Sequence, residues 1–291
     1  MKNKLLAMAS TVALLGALPY SAAHAGFTTC STSDVKVTTV LLSTDTTSDI
    51  TKPNLPSPIN SFDCAGGFAG NDMPKPSQEA DGNLGYAGDG LLNGAPQQGG
   101  QGGGVLFPGG AFISDTYPLS DLDKDGEVDD PGWIMLGRID FAKDGSGTFK
   151  PMLIGGDDSI VWASFFTVKS NGDGTGTWAF TPDPDVAKRA FDILGKNYFD
   201  QFALIFKQST AFAAYDFTAA QFGIEHPTAD MTPLHFGGTF DISKTLGKGL
   251  SHVSLWARDP SFGITTVPEP GALGLLGLAT LGLAFARRKR A

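Results

Sequence analysis

The chain has 291 residues, of which 38 are Gly and 18 Pro, with 10% aromatic and only 18% charged residues. That composition suits short strands joined by many turns and excludes a helical bundle. The formal net charge is -9; taking Lys2, Lys4, Arg287, Arg288, Lys289 and Arg290 from the 21 basic residues and Glu269 from the 30 acidic ones leaves 15 against 29, or -14 for residues 26–265, a surface that repels phosphate backbones and argues against nucleic acid as a partner.

Lys2 and Lys4 precede an apolar stretch from Leu5 to Leu18, and Ala23-His24-Ala25 follows as the small-x-small pattern that signal peptidase reads. Residues 1–25 are therefore a signal peptide, with Ala23 and Ala25 at the processing site and Gly26 the first mature residue. The apolar run is too short to span a bilayer. The chain has two cysteines, Cys30 and Cys64, and in an oxidising compartment such a pair forms a disulfide more readily than a metal site.

Val35 to Leu42, rich in Val and Thr, reads as the first strand. Ile50 to Ser61 carries Pro53, Pro56 and Pro58 and reads as an extended connection. From Gly66 to Gly110 the chain is loop-like, with Gly99-Gly100-Gln101-Gly102-Gly103-Gly104 its most flexible part. A loop that long in a compact domain is functional or disordered.

The sharpest local motif spans Asp121 to Asp130. Asp121, Asp123 and Asp125 place side-chain oxygens at alternate positions before Gly126, followed by Glu127 and Asp129. This matches the first half of a Ca²⁺ loop, with Glu127 binding through its carbonyl and Asp129 directly or through water. The twelfth position is Gly132 rather than a bidentate Glu, so the motif is a variant, with Asp130 a substitute ligand, or else a solvated acidic turn.

Strands are expected at Val105 to Ile113, Trp133 to Phe141, Thr148 to Ile154, Ile160 to Lys169 and Thr175 to Phe180. Asn171-Gly172-Asp173-Gly174 reads as a hairpin turn, because Asn-Gly supplies the positive φ values that a tight turn needs, and Asp144-Gly145-Ser146-Gly147 repeats the idea. Asp183 and Pro184 then start a short helix that ends before Gly195. Strands resume at Phe199 to Lys207, Ala211 to Phe217, Gly238 to Ile242 and Leu250 to Ala257. The sum is all-β: one domain over residues 26–265, an antiparallel β-sandwich or jelly roll with one helical insertion.

His226, His235 and His252 show no zinc spacing, and His252 sits between apolar neighbours in a strand, the setting of a hydrogen-bonded structural histidine. Trp133, Trp162, Trp178 and Trp256 could stack on sugars, but their strand patterns point to the core. No nucleophile elbow, phosphate loop or dinucleotide fingerprint occurs. A carboxylate pair of a glycosidase would carry no local signature.

The chain closes on Val267-Pro268-Glu269-Pro270-Gly271, an uncharged run from Gly271 to Ala286, and Arg287-Arg288-Lys289-Arg290. The run reads as a transmembrane segment over 271–286; as a helix it reaches about 24 Å against a hydrocarbon core of about 30 Å, which makes a marginal anchor. The basic cluster orients it, keeping residues 287–290 cytoplasmic and the body outside the inner membrane. Residues 266–291 closely resemble the PEP-CTERM sorting signal of exopolysaccharide-producing Gram-negative bacteria. The resemblance implies that an exosortase recognises Pro268, Glu269 and Pro270 and releases or transfers the protein to the envelope. Such tails are also labelled as the C-terminal domain of ice-binding proteins. Thr38, Thr39, Thr44, Thr46 and Thr47 show no sustained period, so here the label describes an address.

The body also resembles β-rich exported proteins of this group. The matching motifs are Cys64 with Gly66, Gly70-Asn71-Asp72, Gly176-Thr177-Trp178, Phe212-Ala213-Ala214-Tyr215 and Ser251-His252-Val253-Ser254-Leu255. The expected function is a non-catalytic surface or extracellular-matrix protein, handled by signal peptidase and exosortase and held transiently in the inner membrane. Two alternatives stand: a calcium-dependent carbohydrate-binding or adhesive module that contacts extracellular polysaccharide, and a secreted glycoside hydrolase. For the acidic loop, Ca²⁺ is expected to raise the melting temperature of residues 26–265, and Asp123→Ala with Asp125→Ala to abolish the rise. A wild-type melt unmoved by Ca²⁺ rejects the site.

Overall fold

The computed structural model describes residues 29–42, 52–72, 83–86, 89–95, 132–152, 165–182, 199–223 and 234–258. They form eleven strands: β1 Val35–Leu42, β2 Ile59–Asn60, β3 Asp63–Ala69, β4 Trp133–Phe141, β5 Gly147–Pro151, β6 Phe166–Ser170, β7 Thr175–Phe180, β8 Gln201–Gln208, β9 Ala211–Thr218, β10 Leu234–Asp241 and β11 His252–Arg258. Two sheets result, a five-stranded one in the order β2-β1-β10-β7-β6 and a six-stranded one in the order β3-β9-β8-β11-β4-β5. Every pairing is antiparallel.

Alternation explains the five-stranded sheet. In β6 the order Phe166-Thr167-Val168-Lys169 puts Phe166 and Val168 inside and Thr167 and Lys169 in water, and β1 begins with Val35 and Val37 buried around Lys36. One face of this sheet is therefore wet, as antiparallel sheets allow. Asn171-Gly172-Asp173-Gly174 does join β6 to β7. Asn171 N–H donates to Thr175 C=O at 2.9 Å, and the Asp173 carboxylate accepts from Thr175 N–H at 2.9 Å and from its hydroxyl at 2.6 Å. Gly174 has φ 92°, and a Cβ there would lie 2.6 Å from Gly247 C=O, so only glycine fits.

The sheets pack face to face through aromatic rings. Phe202 meets Phe236 at 5.0 Å and Phe206 meets Phe240 at 4.9 Å between centroids. The two contacts are four residues apart on both β8 and β10, so these strands run in the same direction across the layers. Trp178 fills the space between them and touches Phe202 and Phe217.

The six-stranded sheet is buried on its outer face too. A second cluster of Trp133, Met135, Ala203, Ile205, Phe212, Ala214 and Trp256 lies there under Leu91 and Leu92. A bulge in β4, between the partners of Leu255 and Trp256, changes the phase of its side chains. Ile134 and Leu136 therefore face the sheet-to-sheet core together with Ile139, while Trp133 and Met135 face the outer cluster.

β5 pairs with β4 only from Gly137 onward, so among the described residues the start of β4 has no strand on that side. Two asparagines stand in. Asn93 donates to Trp133 C=O at 2.6 Å and accepts from Trp133 N–H at 3.2 Å; Asn83 does the same for Met135 at 2.8 and 3.0 Å. Their side-chain amides replace a neighbouring peptide group, meeting the demand that buried backbone be paired.

The expectation of a loop-like stretch from Gly66 onward is corrected in two places. Asp63–Ala69 is a strand, and residues 89–95 pack on the sheet with a 3-10 turn at Leu91–Asn93. Neither shows a period-2 apolar pattern. β3 carries a bulge at Gly66–Phe68 and Gly66 has φ 148°, where a Cβ would collide with Ala213 at 2.4 Å. Ile59–Asn60, expected within an extended connection, pairs with β1. The expected strand at 105–113 and helix at 183–195 lie outside the described residues, as do both chain ends. Among the described residues no helix is long and apolar enough to cross a membrane.

Cys30 and Cys64 form a disulfide with Cα atoms 6.2 Å apart across 34 residues. It ties the segment entering β1 to the edge strand β3 and so links the two sheets. Replacing both cysteines with Ser is expected to lower unfolding free energy by about 3 kcal/mol, measured as an earlier denaturation midpoint; an unchanged midpoint would show that the bridge constrains nothing.

Candidate functional site

Polar and ionisable side chains gather at three places in the described body. The first is beside the disulfide. Asp34 accepts from the Tyr215 hydroxyl at 3.0 Å, the Thr245 hydroxyl at 2.7 Å and Ser31 N–H at 3.0 Å. Tyr215 lies opposite Cys64 in the β3–β9 register. Burial, with the Asp34 charge added, holds its hydroxyl well above the usual tyrosine range, so Tyr215 stays a donor at any physiological pH.

The second lies on the outer face of the six-stranded sheet. Lys207, His252 and Asp140 form one row across β8, β11 and β4. Asp72, just past β3 and 1% exposed, reaches over to His252, whose Nε2 is 3.0 and 2.8 Å from the two carboxylate oxygens. Lys207 Nζ donates to Gln208 and Ser209 C=O, and burial pulls its pKa down despite the Asp72 charge. Burial alone would raise Asp140, but a hydrogen bond from Lys150 and the charges of Arg138 and Lys150 outweigh it and lower its pKa. His252 is thus the hydrogen-bonded structural residue that its strand setting suggested, and Asp72 is the partner that sequence reasoning missed.

The third is at the opposite end of the same face. Asp216 on β9 is 3% exposed and directly opposite Asp63; Gln201 on β8 pairs in register with Arg258 on β11, and Arg258 donates to Gln201 Oε1 at 3.4 Å. Asp216 Oδ1 has no hydrogen-bond partner. Burial drives the carboxyl up to about 8, opposed by the Phe217 N–H and Arg258 and reinforced by Asp63 and Asp200. Burial thus favours the protonated form of Asp216.

The motifs that suggested an exported β-rich protein meet here as structural pairs. Gly70-Asn71-Asp72 and Ser251-His252 supply the Asp72–His252 contact, Tyr215 anchors Asp34, and Trp178 closes on Gly238, where a Cβ would sit 2.5 Å from its ring. Trp133, Trp178 and Trp256 are all buried, which removes them as sugar-stacking platforms. His235 bonds to Pro182 C=O at 3.0 Å. Among the described residues no group of three or more His, Cys, Asp or Glu is arranged to hold a metal ion. Ala23, Ala25, Asp121, Asp123, Asp125, Glu127, Asp129, Pro268, Glu269, Pro270 and the basic residues 287–290 lie outside the described residues.

Residues 266–290 match the family model of the PEP-CTERM protein-sorting motif. The chain carries a PEP-CTERM protein-sorting motif in its tail. The motif makes it an exported protein that transits a membrane toward the cell surface and is processed by an exosortase. No curated protein and no solved structure matches the chain. The motif describes the tail and leaves the body, residues 29–258, without a matching family.

Asp216 gives that reading a pH test. Its folded pKa lies above its unfolded value, so between about pH 4 and 8 the folded state binds more protons and stability falls as pH rises. Asp216→Asn mimics the protonated carboxyl and is expected to flatten that fall, raising Tm at pH 8.5 by about 4 °C, or about 1–2 kcal/mol in a domain of this size. Parallel melting curves for the two proteins from pH 5 to 8.5 would refute the assignment.

Proposed function

We propose that this PEP-CTERM protein is a non-catalytic component of the cell surface or extracellular matrix, delivered through the membrane by its tail and released or transferred by an exosortase. The sorting motif at residues 266–290 carries the reading. The chemistry of the body supports it. Asp216 and His252 are buried, and Asp34, Asp72 and Asp140 are engaged in contacts that hold the fold together. General acid or base work needs a group within reach of a reacting atom.

A binding role toward extracellular polysaccharide is the second reading, and the wet face of the five-stranded sheet favours it. Lys36, Thr239, Thr177 and Lys169 form one row across β1, β10, β7 and β6. Thr239, Thr177 and Lys169 are exposed and Lys36 is half-buried. Threonine hydroxyls and lysine ammonium groups can donate hydrogen bonds to the oxygens of a sugar chain.

Pulse-labelling in the native cell tests the main reading. The wild type is expected to chase from a membrane-bound precursor to a shorter matrix form, while Pro268→Ala with Glu269→Ala and Pro270→Ala stays in the membrane. Normal release of the triple variant would reject exosortase sorting. Release of the wild type into the medium without retention by the matrix would reject the matrix role.

A further inference from the structure

The chain contains two Asn-Gly pairs, Asn93-Gly94 and Asn171-Gly172. The side-chain carbonyl of an asparagine is open to attack by the backbone nitrogen of the next residue, which closes a succinimide ring. Glycine in that next position leaves the nitrogen unscreened, because it carries no Cβ. The other asparagines, at 3, 54, 60, 71, 83 and 197, all precede residues with side chains. The sequence thus marks two pairs of equal chemistry, and the fold treats them in opposite ways.

Asn93 is locked. It is 3% exposed, its Nδ2 donates to Asp89 C=O at 2.8 Å and to Trp133 C=O at 2.6 Å, and its Oδ1 accepts from Trp133 N–H at 3.2 Å. The nitrogen that would attack, Gly94 N–H, donates to Leu91 C=O at 3.3 Å. Ring closure there requires all of these bonds to be given up and leaves buried backbone of β4 unpaired, the expensive outcome for a polar group away from water.

Asn171 is open. Both it and Gly172 are exposed at the tip of the β6–β7 hairpin. Asn171 Nδ2 donates to Thr175 Oγ1 at 2.9 Å, and Gly172 N–H donates to the Ser170 hydroxyl at 3.2 Å. Both bonds lie at the surface, where water replaces either partner at little cost. The space around Gly172 is empty as well, since a Cβ built on it meets nothing within 4 Å.

We infer that Asn171 is a site of spontaneous modification in the folded protein, converting through a succinimide to aspartate and isoaspartate, and that Asn93 is protected. Gly172 N–H gives its proton to water or hydroxide, and the nitrogen bonds to Asn171 Cγ. The Cγ–Nδ2 bond then breaks, and the amide nitrogen takes a proton from water and leaves as ammonia. Water opens the ring at one carbonyl to give aspartate, or at the other to give isoaspartate, whose main chain runs through the side-chain carbon. The balance is water in and ammonia out, with no change of oxidation state. Either product places a carboxylate two residues from Lys169, at one end of the exposed row Lys36, Thr239, Thr177 and Lys169. A carboxylate cannot donate to Thr175 Oγ1 as the amide does. Isoaspartate also lengthens the turn that joins edge strand β6 to β7, its neighbour in the sheet.

The full-length chain, folded and with its disulfide oxidised, is kept in mildly alkaline buffer and sampled over time by peptide mapping, with enzymatic isoaspartyl methylation to count isoaspartate. Conversion at 171 is expected to be at least about tenfold faster than at 93, since only the latter must first break buried hydrogen bonds. In a parallel sample, reduced and unfolded in denaturant, the two pairs are expected to convert within about threefold of each other, because an unfolded chain retains little that distinguishes them. An Asn171 that stays intact in the folded chain while it converts in the unfolded one overturns the site, since the hairpin then shields it. Equal conversion at 93 and 171 in the folded chain overturns the protection of Asn93. A tenfold preference that persists after unfolding overturns the role of the fold and assigns the difference to local sequence.

Discussion

Strands β8, β9 and β11 are buried along almost their whole length, by the five-stranded sheet on one side and by the Leu91–Leu92 segment on the other. A sheet covered on both faces has no water to satisfy stray polar groups. Each polar side chain on the outer face must therefore be paired or neutral. His252 takes Asp72, Arg258 takes Gln201, the start of β4 takes Asn83 and Asn93, and burial favours the protonated form of Asp216. The long connection between β3 and β4 is thus partly structural, since residues 83–86 and 89–95 supply both the apolar cover and the amides that finish the ladder.

The two layers of this PEP-CTERM protein differ in what they leave to solvent. The five-stranded sheet keeps an exposed row of Thr and Lys, whereas the central strands β8, β9 and β11 of the six-stranded sheet are enclosed. Function that needs contact with another molecule is more easily placed on the open layer, and rigidity on the closed one. The disulfide and the Asp34–Tyr215–Thr245 contacts join the layers at one side.

Where alternation was clean the sequence was easily read. β1, β4 and β7 have the bounds that their Val, Ile, Trp and Thr patterns suggested, and Asn171–Gly174 turns as its residues require. The later strands were placed within a few residues, except that β10 starts at Leu234, four residues before the expected Gly238. β3 was not legible, because Asp63-Cys64-Ala65-Gly66-Gly67 has the composition of a turn and becomes a strand only by pairing with β9, a tertiary effect. The polar pairs were illegible for a related reason. Asp72 and His252 are 180 residues apart, and nothing local in either segment names the other. The disulfide was accessible because two cysteines leave one possible intramolecular pairing.

The position of β11 also bears on how the chain can be secreted. It is the last of the described strands to cross the membrane, yet it occupies the middle of its sheet, between β8 and β4. Until residues 252–258 emerge, those two strands present bare edges, and β3-β9-β8 and β4-β5 are separate fragments. Bare edges are templates for wrong partners, and closing a sheet by its final segment is slow because the contacts are distant in sequence. Secretion of this protein is thus a race between the arrival of one seven-residue segment and the aggregation of two fragments of one sheet, with the earlier strands already outside and the six-stranded sheet still open.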